Sequence, residues 1–304
     1  MTAYRHGLLC VLGVLFVCSV ATAQPELRWK FTPGEKLAHN MTQDTTMAVQ
    51  VGGQAITTTM TQVVDGRWSV TGKDDQGNAQ ITQEIYRIQM KMQGPQGVIL
   101  EIDTASDQEP QGAGVAIAPA IEAMAQAKFN LTVNPQGEVL EIDVPEEVRA
   151  AFQRLPGAEQ MGGMFSKEGF SNMIKQGTPS FPAEPLTQGK SWSKDYEMPM
   201  AALGAMVVSN EFTYAGQEQV DGKQLERINV EMSIQIKAAE NGGPFGNITI
   251  ADQKSDGVIY FDNEAGRMTE SRINQAMTMQ IAAGEQKFDQ KINQVITATL
   301  TPAE

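Results

Sequence analysis

His39 is the residue best suited to acid–base work. Three carboxylate pairs, Asp74-Asp75, Glu146-Glu147 and Asp262-Asn263-Glu264, are the other groups whose types could do chemistry. A catalytic histidine needs an acid to orient it and a nucleophile within reach. His39 opens a strand-like run, Leu37-Ala38-His39-Asn40-Met41, and no Gly-x-Ser-x-Gly elbow supplies a serine. Gly169-Phe170-Ser171-Asn172-Met173 fails at its last position. The histidine therefore reads as a surface residue on a strand. A glycosidase needs two carboxyls about 5–10 Å apart across a cleft, whereas sequence neighbours point to opposite strand faces or cap turns. Asp74-Asp75 precedes Gln76-Gly77 and reads as a turn. Glu146-Glu147 follows Pro145 and reads as the charged first turn of a helix. Asp262-Asn263-Glu264-Ala265-Gly266 alternates oxygen donors before a glycine, but it lacks the third carboxylate and distal glutamate of an EF-hand. It reads as a hairpin turn. No phosphate-binding glycine motif occurs. No catalytic, cofactor-binding or metal-binding residue follows from the sequence, and the chain is expected not to be an enzyme.

The compartment explains part of this poverty. Residues 1–23 read as an export signal, with Arg5 in a short head, an apolar run from Gly7 to Val20 and the cleavage pattern Ala21-Thr22-Ala23. Removing 23 of the 304 residues leaves 281, and with the signal go Cys10, Cys18 and His6. The expected mature chain thus has no cysteine and a single histidine, which excludes disulfides, thiolate sites and Cys/His metal clusters. A lipid anchor at Cys18 is disfavoured, because Val17 stands where a small residue is needed. A membrane span needs about 20 apolar residues, and no later window provides one. The expected location is the periplasm or cell envelope, or outside the cell. Acidic residues outnumber basic ones by 36 to 23, and no basic patch with interleaved aromatics offsets this. Phosphate backbones and anionic headgroups are repelled, so no nucleic-acid partner is expected. The sequons at Asn40, Asn130 and Asn247 carry no weight in a bacterial exported protein.

The elements that must position any site are strands. Apolar residues alternate with polar ones in Leu27/Trp29/Phe31, Ile88/Met90/Met92 and Phe129/Leu131/Val133. The cleanest run is Ile228, Val230, Met232, Ile234 and Ile236, which is expected to be a central strand with all five side chains buried. Ile273, Met277, Met279 and Ile281 repeat the pattern with Gln275 interrupting, and Phe288, Ile292, Ile296 and Leu300 follow. Gly52-Gly53, Gln76-Gly77, Pro95-Gln96-Gly97, Gln136-Gly137, Asp221-Gly222 and Ala265-Gly266 supply the turns. A strand over Asn78–Gln93 changes parity between Ile85 and Tyr86, which predicts a bulge or bend there. Three segments have helical spacing instead: Ala116–Ala127, Pro145–Leu155 and Ser166–Gln176. Sixteen methionines outside the signal, many on strands, fit core filling or an adaptable apolar surface.

These elements predict a mainly β (α+β) fold: a large curved antiparallel sheet of two similar units, with short amphipathic helices inserted between them. The first unit spans 24–144 with a short helix near 116–127, the helical and proline-rich connector spans 145–185, and the second unit spans 186–304. Each unit opens alike, with Gly34-Glu35-Lys36-Leu37 and Gly189-Lys190-Ser191-Trp192. Each contains an Asn-x-x-Gly hairpin, Asn134–Gly137 and Asn263–Gly266. On these motifs, with Phe212-Thr213-Tyr214-Ala215-Gly216 and Phe261–Arg267, the chain resembles a family of exported bacterial envelope proteins of unknown function. More loosely it is similar to the half-barrels of lipoprotein carriers. The family implies no activity and no site residue. The expected function is a non-enzymatic binding or scaffold protein that holds an apolar ligand such as a lipid if its interior is incompletely filled. The alternative is a structural or protein–protein interaction module, with an envelope protein as partner and a filled core. A contiguous apolar void of several hundred Å³ would separate the two.

Overall fold

A computed structural model describes residues 24–51, 54–158, 166–199, 204–237, 248–283 and 286–303. The expected export signal, the Gly52-Gly53 turn, residues 159–165 of the connector and the Asn247 sequon lie outside the described residues. Among the described residues thirteen strands carry the fold: β1 Lys36–Val51, β2 Gln54–Lys73, β3 Ala79–Gly94, β4 Gly97–Asp103, β5 Gln111–Gly112, β6 Lys128–Val133, β7 Val139–Asp143, β8 Ser191–Pro199, β9 Ala205–Val220, β10 Lys223–Lys237, β11 Ile248–Asp262, β12 Arg267–Ala283 and β13 Gln286–Pro302. Helix α1 (Gly114–Gln126) lies between β5 and β6. Helices α2 (Glu146–Gln153) and α3 (Lys167–Gln176) lie between β7 and β8.

The fold is mainly β, one large open antiparallel sheet in the order β5-β4-β3-β2-β1-β13-β12-β11-β10-β9-β8. Hairpins join nearly all neighbours. The exception is β1 beside β13, which zips the first and last long strands together from Leu37↔Pro302 to Val49↔Gln290. Strand β6 pairs with the start of β3 and with β7, so the sheet forks at that flank. The parity change in β3 is a bulge. Gly66 faces Ile85 and Asp65 faces Arg87, which leaves Tyr86 unpaired and exposed. Gly66 is required there, because a Cβ would stand 2.8 Å from the Glu84 carbonyl oxygen.

One face of the sheet, the core face, carries Leu37, Trp68, Ile81, Ile228, Phe261 and Leu300, all buried. These residues sit at one end of the strands, termed the closed end. The N-terminal segment threads across it. Trp29 stacks on Phe31, and its ring also meets Trp68 of β2 at 6.2 Å and Phe261 of β11 at 5.6 Å. In a flat sheet β2 and β11 would stand about 19 Å apart, four strand spacings, so the core face must be concave here. The two Asn-x-x-Gly turns clamp this segment. The Trp29 amide donates to the Pro135 carbonyl (2.8 Å) and the Lys30 amide to the Gly266 carbonyl (2.9 Å). Trp29 Nε1 also donates to the Pro179 carbonyl at 3.0 Å. Gly266 has φ 66°, and a Cβ there would lie 2.4 Å from Lys30 side-chain carbons.

The helices cap one flank of the core. Ala118, Ala120 and Ile121 of α1 and Val148 and Phe152 of α2 are buried. Ser166 caps α3 by accepting from the Gly169 amide at 3.1 Å. Lys194 of β8 donates to Glu138 in the β6–β7 turn at 2.5 Å, which draws the two flanks of the open sheet together at the closed end. Among the described residues no helix is long and apolar enough to cross a membrane.

Candidate functional site

The residues singled out for chemistry do not come together. His39 is not a surface residue. It is half-buried on the core face, its ring parallel to Trp68 at 6.2 Å. The reading as a surface residue rested on the lack of catalytic partners and overlooked that Leu37, His39 and Met41 have one parity and share the face that Trp68 occupies. Burial holds its imidazole below the ordinary range, and nearby Asp65 pulls it back only in part. Asp74 organises its own turn, accepting from the Gln76 amide (2.9 Å), the Asn78 amide (2.8 Å) and Asn78 Nδ2 (2.8 Å). The Asn78 side chain thereby holds the carboxyl below its usual range. Glu146 and Glu147 lie in the first turn of α2. Asp262 accepts from the Ala265 amide at 2.8 Å, and Lys30 Nζ donates to the carbonyls of Asn263 (2.8 Å) and Glu264 (3.3 Å). An ammonium group thus already takes two of the oxygens a cation would need. Among the described residues no group of three or more His, Cys, Asp or Glu is placed to hold a metal.

A different feature spans the sheet. At about 3.4 Å per residue, strands of 15–17 residues run well beyond the packed end and keep their parity there. On β10, Ile228 and Val230 are buried, but Met232, Ile234 and Ile236 on the same face are only half-buried and stand outside the packed cluster. The expectation that all five would be buried thus holds for two. The core ends first, because the clamped N-terminal segment and helices cover only the closed end. Register partners share a face. Ile234 and Ile236 are therefore continued by Val208 and Met206 of β9 and by Tyr196 and Met198 of β8. On the other arm Met60 of β2 faces Met92 of β3, and Leu100 of β4, opposite Met92, packs against the core cluster and bounds the surface there. In the middle Met47 of β1 faces Ile292 of β13, which faces Met277 of β12. The result is a broad apolar, methionine-rich surface at the open end of the core face.

A polar row separates this surface from the packed core. Thr45, Gln294, Gln275 and Ser255 are register partners across β1, β13, β12 and β11. Gln43 Nε2 donates to Gln294 Oε1 (3.1 Å), and Gln294 Nε2 to Gln275 Oε1 (2.5 Å). Beyond Ser255 the sheet has a seam. β10 and β11 pair from Glu226↔Phe261 to Val230↔Gly257. Further along, Gln253 fills the ladder with its side chain, accepting from the Ile234 amide (2.8 Å) and donating to the Ile234 carbonyl (3.1 Å). Across the seam lies Met232, paired with Asn210 of β9. Three atoms of this row are buried with no hydrogen-bond partner among the described residues: Gln275 Nε2, Ser255 Oγ and Asn210 Oδ1. Sequence reading noticed Gln275 as an interruption but missed Asn210 and Ser255. Their alignment exists only once the strands are in register.

The grooves on the molecule are of another kind. One of about 580 Å³ lies at the seam and takes its lining from alternate residues of both faces, Ser233 and Lys254 from one, Met232, Ser255 and Asn210 from the other. One of about 530 Å³ runs over β2, β1, β13, β12 and β11 beside Asp44, Thr61, Asn274 and Asn293. A third, of about 720 Å³, lies between α3 and β6–β7. None of these is the apolar void that the sequence expectation asked for.

The chain belongs to the family described as "Family of unknown function (DUF6263)", which matches residues 76–268. No curated protein matches the sequence. Among solved structures it is similar to lipovitellin, from a study of lipid–protein interactions (10% identity, TM-score 0.44, 90% of this chain). It spans about a quarter, 26%, of that protein's length. It is also similar to the hypothetical lipoprotein YmcC from Escherichia coli K12 (11% identity, TM-score 0.24, 85% of this chain and 87% of that one). A third is a putative outer membrane lipoprotein-sorting protein domain from Vibrio parahaemolyticus (8% identity, TM-score 0.17, 84% and 83%).

Proposed function

We propose that this chain is an exported, non-enzymatic binding protein of the bacterial envelope that holds an apolar ligand such as a lipid against the open end of its core face. One observation carries the reading. β8, β9, β10, β12 and β13 extend beyond the packed core and keep an apolar, methionine-rich face where stability does not call for one. Apolar side chains left half in water contribute little to folding, since the gain scales with the area removed from water. They contribute to binding when a ligand covers them. Methionine suits this because its unbranched thioether repacks around irregular partners. Export rests on the pattern of residues 1–23, and the absence of cysteine beyond residue 18 fits a domain that relies on its own core. A second reading, an interaction module without a small ligand, draws on the grooves, most of whose lining residues are polar or charged. Native mass spectrometry of the full protein purified from its own host decides between them. Retention of a lipid-sized mass, released by organic extraction, supports the binding reading. A bare polypeptide mass from membrane-containing preparations overturns it.

A further inference from the structure

We infer that the polar row of Asn210, Ser255 and Gln275 is a recognition site for the neutral polar linkage of an acylated amphiphile, whose chain lies on the methionine-rich surface beside it. The inference rests on the binding role proposed above and deepens it by naming a ligand class. Burying a polar group without a partner costs about 1–3 kcal/mol, and native proteins leave few such groups. Here three fall in one cross-sheet row, and Gln275 is only 3% exposed. The Gln275 Oε1 already accepts from Gln294, so its free Nε2 is a pure donor. Ser255 Oγ can donate or accept, and Asn210 Oδ1 accepts. Ser255 and Gln275 are register neighbours, about 5 Å apart by strand spacing. A group that matches them offers a carbonyl oxygen to Gln275 and a hydroxyl close by.

The charges around the row select a neutral group. Lys194 on β8, which pairs with Asn210, already donates to Glu138 at 2.5 Å. The chain as a whole carries a net charge of −13. Lys254 also lines the groove but stands on the opposite face of the sheet, so among the described residues an anionic headgroup would meet no unpaired cation in the row, whereas a glycerol ester meets donors and acceptors. The seam places the row at an opening. The 580 Å³ groove is lined by Asn210 and Ser255 on one side of β10–β11 and by Ser233 and Lys254 on the other. The apolar surface of Ile234 and Ile236 begins where Gln253 closes the ladder.

The test uses the full mature protein stripped of lipid, with three probes of one chain length: monolauroylglycerol, laurate and dodecane carried by cyclodextrin. Affinities are read by calorimetry and native mass spectrometry. Wild type is expected to bind monolauroylglycerol at least about tenfold more tightly than laurate or dodecane, the worth of one or two net hydrogen bonds. Ser255→Ala and Gln275→Met should each erase about tenfold of that preference while leaving dodecane binding unchanged. Ser255→Ala removes a hydroxyl that bonds to nothing among the described residues, so its melting temperature should hold or rise, and lost binding cannot be blamed on lost folding. If wild type and both variants bind all three probes alike, the row holds water only; the recognition site is then overturned and the apolar surface stands. If wild type binds none of the probes, the binding role itself is overturned.

Discussion

At the residue scale the structure turns on two groups whose settings are unlike their sequence appearance. His39 is stacked on Trp68 on the core face, and burial depresses its pKa relative to the unfolded chain, where it is about 6.5. Between the folded and unfolded pKa values the unfolded state binds more protons, so stability rises with pH. The stability tied to a neutral His39 is present above about pH 6.5 and is lost as pH falls through the lower folded value. The melting temperature should therefore decline below pH 6.5, and His39→Phe should flatten that part of the curve. A variant whose melting temperature tracks wild type across pH 4–7 would show that the imidazole is not the group responsible. Gly266 is the second case. With φ 66° and Lys30 atoms 2.4 Å from an added Cβ, Gly266→Ala combines a left-handed backbone with a clash and should cost about 2–5 kcal/mol. Gly222 has φ 80° but nothing within 4 Å, so Gly222→Ala should cost only about 1–2 kcal/mol. Urea denaturation of the pair measures the difference, and equal losses would mean that the clamp on the N-terminal segment is loose.

At the element scale β10 records where the core stops. Ile228→Ala removes a fully buried side chain and should cost about 2–5 kcal/mol, whereas Ile234→Ala, on the same face but half-buried, creates little new void and should cost about 1 kcal/mol. Denaturant midpoints of the two variants at equal slope check this; a larger loss at Ile234 would place the packed core at the wrong end of the strand. Much of this element was legible in the sequence. Period-two alternation gave the correct face for Ile228–Ile236, and the break between Ile85 and Tyr86 located a real bulge. The three helical segments are all helices. What periodicity could not give was the position of the core along a strand. Alternation names a face, but covering that face depends on a segment arriving from elsewhere, here Leu27–Phe31. For the same reason the row of Asn210, Ser255 and Gln275 was not readable. Each is an ordinary polar residue on its own strand, and only the register of four strands aligns them.

At the scale of the whole molecule the pairing of β1 with β13 makes the two halves one sheet, and one end of that sheet is far better supported than the other. The closed end is held by the aromatic contacts of Trp29, by the clamp of two turns and by the Lys194–Glu138 pair. The open end has strand ladders, and apart from Val208 and Met277 the apolar side chains on its core face are only half-buried or exposed. Local stability follows buried apolar contacts, so elements rich in exposed backbone hydrogen bonds open at lower free energy than the core. The open end should fray first. All three tryptophans, Trp29, Trp68 and Trp192, lie at the closed end, so fluorescence reports that end alone, whereas far-ultraviolet circular dichroism reports every strand. In lipid-free protein the dichroism signal should begin to fall at lower urea than the fluorescence signal, because probes coincide only when unfolding is all-or-none. Amide exchange should agree, with slow exchange at Trp68 and Ile228 and fast exchange at Ile56 and Ile236. A ligand that covers the open end binds only where that end is folded, and mass action then stabilises it. Saturating monolauroylglycerol should therefore bring the two urea curves together. Coincident curves without ligand would mean that the open end is already as well held as the core, leaving no unpaid surface for a lipid to cover.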